Sequence, residues 1–76
     1  MAKFRLFVQD VGQYGYSGFS EVIASDQSDA VRIARKIRFT CRAIVLPESR
    51  RDLWPNGKTG AVTGEALRLG AVNFEI

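Results

Sequence analysis

Ala30, Ile33, Ala34 and Ile37 recur at i, i+3, i+4 and i+7, and this one apolar stripe decides most of what the chain can fold into. That spacing puts the four side chains on a single narrow face of a helix. A narrow stripe has to be buried against something, and in 76 residues there is no second long stripe to receive it. A sheet must therefore do so. Ser25 or Asp26 supplies the N-cap, accepting hydrogen bonds from the first free backbone N–H groups. Asp29 follows Asp26 at capping-box spacing, and both acids suit the positive end of the helix dipole. At 100° per residue Arg32, Arg35 and Lys36 point away from the stripe. The helix ends near Ile37 or Arg38, because Phe39 would project to the polar side if it continued.

The flanking segments carry the strand period. Phe4, Leu6 and Val8 share one face of residues 3–9, with Lys3, Arg5 and Gln9 on the other. Phe7 interrupts that polar face, so part of it is covered as well. Gly12, Gly15 and Gly18, interleaved with Tyr14 and Tyr16, make residues 10–18 a loop. Residues 19–24 form a second strand, antiparallel to the first because the connection is short. A third strand covers residues 41–46 and stops at Pro47, which cannot donate to a ladder. Residues 47–60 are polar and basic, with turn chemistry at Pro55, Asn56 and Gly57. Two readings remain for residues 61–70: a short strand at 61–63, or Thr63 capping a brief helical turn through 65–68 that Gly70 ends. Residues 71–76 close the chain as a strand with Val72, Phe74 and Ile76 on one face.

The order β-β-α-β-(β)-β predicts an α+β fold: a mostly antiparallel sheet of four or five strands, one helix packed across one face, the opposite face free. Residues 1–76 form a single domain, since a chain this short buries only roughly 60% of its unfolded surface and has no room for a second domain.

Charge is unevenly spread. Eight basic residues against two acids leave residues 32–58 at +6, while three against six leave the remainder at −3. A positive block steers association with polyanions. Histidine is absent, which removes the usual general base, the Cys–His and Ser–His nucleophile pairs and most zinc sites. The lone Cys41 has no disulfide partner and reads as a small core hydrophobe. Lys3 and Arg5 interrupt any apolar leader, and no apolar run approaches the ~20 residues that span a bilayer. The expectation is a cytoplasmic, reduced protein that binds rather than catalyses, with no cofactor, no metal and no membrane partner.

Asn56-Gly57-Lys58-Thr59 has the ending of a phosphate-binding loop, but Asp52 stands where that motif needs glycine, and a hairpin turn explains it better. Two basic groups remain as candidate binding residues. Arg50, Arg51, Trp54 and Lys58 combine phosphate-contacting cations with an aromatic on which bases or guanidinium groups stack. The alternative is a Trp54 folded back over the end of the core, with Arg50 and Arg51 solvated beside it. Arg32, Arg35 and Lys36 make a cationic helix face that Arg38 and Arg42 extend; few acids lie nearby in sequence to neutralise it. Tyr14 and Tyr16 suit a binding tip in the glycine-rich loop.

The two opening strands, the capped helix of residues 25–37 and the returning strand Cys-Arg-Ala-Ile-Val-Leu at 41–46 are similar in layout to several small phage-encoded anti-CRISPR proteins. The resemblance covers most of the chain as architecture and carries no functional residue across. It implies a mobile-element inhibitor that acts by occupancy, docking where a CRISPR effector receives nucleic acid. The function expected is accordingly a phage-type, non-enzymatic inhibitor whose basic surface blocks an acidic protein surface or a nucleoprotein complex. The alternative is a regulator that binds DNA or RNA directly. A third reading is a self-associating protein in which an edge strand such as residues 71–76 pairs with its twin as a homodimer.

Overall fold

The computed structural model describes residues 1–9, 15–37, 42–55 and 62–72. Strands β1 (Ala2–Gln9) and β2 (Ser17–Ala24) lead into helix α1 (Gln27–Arg35), followed by β3 (Arg42–Pro47), a 3-10 helix (Glu48–Leu53), helix α2 (Gly64–Gly70) and β4 (Ala71–Val72). The strands form one four-stranded sheet in the order β2-β1-β3-β4, antiparallel at each junction. The chain is α+β, as the alternation of strand and helix periods predicts.

Strand β1 is the sheet's inner spine because it pairs on both sides. Its partners run from Ala24 to Ser17 on β2 and from Pro47 to Arg42 on β3. The β1–β2 register steps between Leu6↔Ser20 and Phe7↔Gly18, leaving one extra residue on β2 as a bulge. Pro47, expected to end the third strand from outside, is its last residue and stands opposite Phe4. The expected strand residue Cys41 lies outside the described residues, as do residues 10–14 of the glycine-rich loop, which hold Tyr14.

Successive residues of a strand face opposite sides of the sheet, and both sides are used. On the first, Phe4, Leu6 and Val8 pack with Val22, Ala24, Ala43, Val45 and Val72 beneath Ala30 and Ala34 of α1. The helix stripe does what its spacing requires, the two alanines letting it sit close while Ile33 and Ile37 flank the contact. The N-cap is Asp26, whose carboxylate accepts from the Asp29 N–H at 2.8 Å. Helix α1 ends at Arg35, a little before the expected Ile37 or Arg38.

The second side is not free, which corrects the expectation of an open face. Phe7, Ile44 and Leu46 form a second core with Leu53 of the 3-10 helix and Ala66 of α2, and Tyr16, Trp54 and Val62 pack against it. The physical reason lies in β3, where Ala43, Ile44, Val45 and Leu46 are all buried. A strand apolar at every position needs cover on both faces. The segment after Pro47, expected as an irregular basic loop, supplies that cover as a 3-10 helix. Of the two readings for residues 61–70 the helical one holds: the Thr63 hydroxyl accepts from the Ala66 N–H at 3.2 Å and caps α2.

Helix α2 meets β3 at Gly70, where a Cβ would lie 1.9 Å from the Val45 carbonyl oxygen. Only a residue without a side chain permits that approach. The same carbonyl accepts a hydrogen bond of 3.0 Å from Nε2 of Gln27, the first residue of α1. One backbone oxygen of β3 thus ties the start of α1 to the end of α2.

Candidate functional site: a basic end of the sheet

The start of α1 is acidic and internally satisfied. Asp26 caps Asp29, and the Asp29 carboxylate accepts in turn from the Ser25 N–H at 3.1 Å and the Ser25 hydroxyl at 3.2 Å. These hydrogen bonds, led by the Ser25 N–H and followed by Arg32, hold the Asp29 carboxyl below the usual aspartate range. Arg32 is therefore not an unengaged cation: its guanidinium pairs with Asp29 one turn earlier.

The far end of α1 differs. Arg35 and Lys36 are exposed, and among the described residues neither has a carboxylate within ion-pair distance. Helix α1 begins three residues after the end of β2 and is about 14 Å long; β3 begins at the opposite end of the sheet from where β2 ends. Arg42, the exposed first residue of β3, stands there opposite Gln9. Tyr16 lies just before β2 at the same end, half-buried, its phenol pushed up by burial and drawn down by the charge of Arg42. The alternation of β3 sets Arg42 at this end of the sheet on the other face, the side of Ile44, Leu46 and Tyr16. Arg35 and Lys36 leave a basic end on α1, opposite its acids Asp26 and Asp29. Helix polarity reinforces this arrangement, since the C-terminal carbonyls favour cations and the N-terminal amides favour anions.

The second group of expected site residues is placed on the other face and is largely occupied within the chain. Arg50 reaches Asp52 at 3.2 Å and Glu65 of α2 at 3.3 Å. Arg51 pairs with Glu48 at 3.0 Å and lies 5.2 Å over the Trp54 ring. Trp54 is folded back: its indole N–H donates to the Pro47 carbonyl at 3.1 Å, and its ring meets Phe7 edge-on at 5.4 Å. The Asp52 carboxyl is held low by Arg50, and the Arg50 guanidinium is raised by Asp52 and then Glu65.

The seven expected residues therefore divide. Arg32, Arg35 and Lys36 share α1 on one face of the sheet. Arg50 and Arg51 of the 3-10 helix and Trp54, which follows it, lie on the other. Lys58 lies outside the described residues. The expectation that few acids lie near the helix face to neutralise it is corrected at Arg32, and Arg50 and Arg51, expected in a binding groove or solvated beside Trp54, are paired as well. Two of the pairings were within reach of the sequence, since Asp29–Arg32 and Glu48–Arg51 are at i,i+3 spacing on a helix. Glu65 was not, because only the fold carries it across fifteen positions to Arg50.

Comparisons with protein-family models, curated proteins and solved structures give no match. Function has to be argued from the surface. Among the described residues no three carboxylate or cysteine groups converge as metal ligands, and no helix is long and apolar enough to cross a membrane. What the exposed geometry offers is positive charge held on rigid elements.

Proposed function

We propose that the chain is a small non-enzymatic binding protein whose basic end docks on an acidic protein surface or a nucleoprotein complex and acts by blocking it. The observation that carries this reading is the contrast between Arg35, Lys36 and Arg42, exposed without an acid partner among the described residues, and Arg32, Arg50 and Arg51, each already paired. A cation paired inside its own chain must break that pair to bind elsewhere; an unpaired one need not. The layout similarity to small phage-encoded anti-CRISPR proteins supports the form of the reading, inhibition by occupancy of a site meant for nucleic acid. Cytoplasmic residence and a mobile-element origin belong to the same proposal.

The test is binding of the chain to guide-RNA-loaded CRISPR effector complexes, measured beside the naked guide RNA. Binding to a loaded complex that falls at least tenfold in the Arg35→Ala/Lys36→Ala/Arg42→Ala variant is expected. An affinity unchanged by that triple replacement at low salt would overturn the assignment of the site.

Direct binding to DNA or RNA is the second reading, favoured by the Arg51 guanidinium stacked over Trp54, a pairing of cation and aromatic suited to phosphate and base. It predicts saturable binding to free single strands that weakens steeply as salt rises.

A further inference from the structure

Among the described residues the sheet has an unpaired side at β2. That strand is bonded to β1 along its inner side and is terminal in the order β2-β1-β3-β4. An edge strand directs alternate N–H and C=O groups outward, a template for another strand. The usual devices that blunt such an edge are sparse: β2 reads Ser-Gly-Phe-Ser-Glu-Val-Ile-Ala, with one charge, no lysine and no proline. The bulge lies near its start and leaves Ser20–Ala24 regular. Ile23 sits on that regular stretch with 53% of its surface exposed.

We infer that this edge pairs antiparallel with β2 of a second copy, joining two sheets into one of eight strands. Opposed residues in an antiparallel pair share a face, so only a few registers keep Val22 and Ala24 on the α1 side. Centring the two-fold axis on Glu21 would oppose two carboxylates, which is unfavourable. Centring it on Ile23 leaves only residues 22–24 of β2 in the ladder. Centring it on Val22 pairs residues 20–24 and sets Glu21 opposite Ile23 of the second copy.

Charge then becomes complementary. Within one copy, Lys3 stands opposite Ile23 and Arg5 opposite Glu21. Across the junction the row on that face reads Lys3, Ile23, Glu21 of the second copy, Arg5 of the second copy. Lys3 is two strand spacings, about 10 Å, from that glutamate, a gap that the two side chains close over Ile23. Each exposed isoleucine is thereby covered by a lysine stem, and each Glu21 lies between two cations. The two-fold axis makes every one of these contacts twice. The occupant is thus a second copy of this chain, and the edge used is β2 rather than residues 71–76.

Sedimentation equilibrium of the full chain across a wide concentration range tests this. A monomer–dimer equilibrium is expected, weakened about tenfold by Ile23→Glu, which sets a second carboxylate opposite Glu21 of the other copy. Lys3→Glu and Glu21→Lys should each weaken it about threefold, and the double variant Lys3→Glu/Glu21→Lys should recover the parent value. Far-UV circular dichroism checks that each variant keeps its sheet; the two charge variants decide the matter if Ile23→Glu does not. A chain that stays monomeric throughout overturns the inference. So does a dimer indifferent to the charge variants, since it would use another surface.

Discussion

Gly70 is the residue whose replacement has the most severe consequence. Its Cβ position is taken by the Val45 carbonyl, a backbone group that cannot swing aside. Gly70→Ala must push α2 off β3, and overpacking of this kind costs about 3 kcal/mol. Urea unfolding should show the midpoint falling with little change in slope. At the start of α1, Asp26→Ala removes the side-chain cap and should cost about 1 kcal/mol. Asp29 adds a pH signature. Its carboxyl is held below the unfolded value, so its contribution is fully present above the unfolded aspartate pKa, near 4, and is lost as pH falls through the lower folded value. Acid unfolding of Asp29→Asn should therefore lack part of the low-pH decline that the parent chain shows, with the difference confined to pH below about 4.

At the scale of elements, the second core depends on short pieces that cannot stand alone. Helix α2 has seven residues, and its first turn is held by the Thr63 hydroxyl. Thr63→Ala should cost about 1 kcal/mol and, because Ala66 and Leu53 share one core, should also loosen the 3-10 helix. Faster amide exchange in residues 48–53 than in α1 would register that coupling. The elements that could be read in advance are β1 from its alternation, β2 from the short connection that follows β1, α1 from its stripe and cap, and β3 from its apolar run. Phe7 pointed to partial cover of the second face, and the unbroken run 43–46 carried the same signal, which the expectation of a free face left unused. The 3-10 helix could not be read, because residues 48–52 are all polar and only Leu53 enters the core. Its place is set by what Ile44 and Leu46 need covered, a demand that arises only once the sheet exists.

For the molecule as a whole, two cores share a single sheet, and the charges sort by face and by end. The identity of the cations was legible from composition; which of them are unengaged was not, since Arg50 finds Glu65 only through α2. The functional and structural cations are separable by experiment. Arg35→Ala/Lys36→Ala removes side chains with no acid partner among the described residues, so it should change stability by less than about 0.5 kcal/mol while lowering affinity for the loaded effector complex. Arg50→Ala should do the reverse, loosening the link between the 3-10 helix and α2 and leaving docking at the basic end intact.

Trp54 is the chain's single tryptophan, and it lies against Phe7 on the side of the sheet away from α1. The molecule therefore carries a built-in optical probe that watches one face and is blind to the other. Its emission will follow the melting of the second core and ignore a partner seated on Arg35 and Lys36. A ligand that alters it has touched the face where Arg51 lies over the ring, so one cuvette titration separates the two modes of binding.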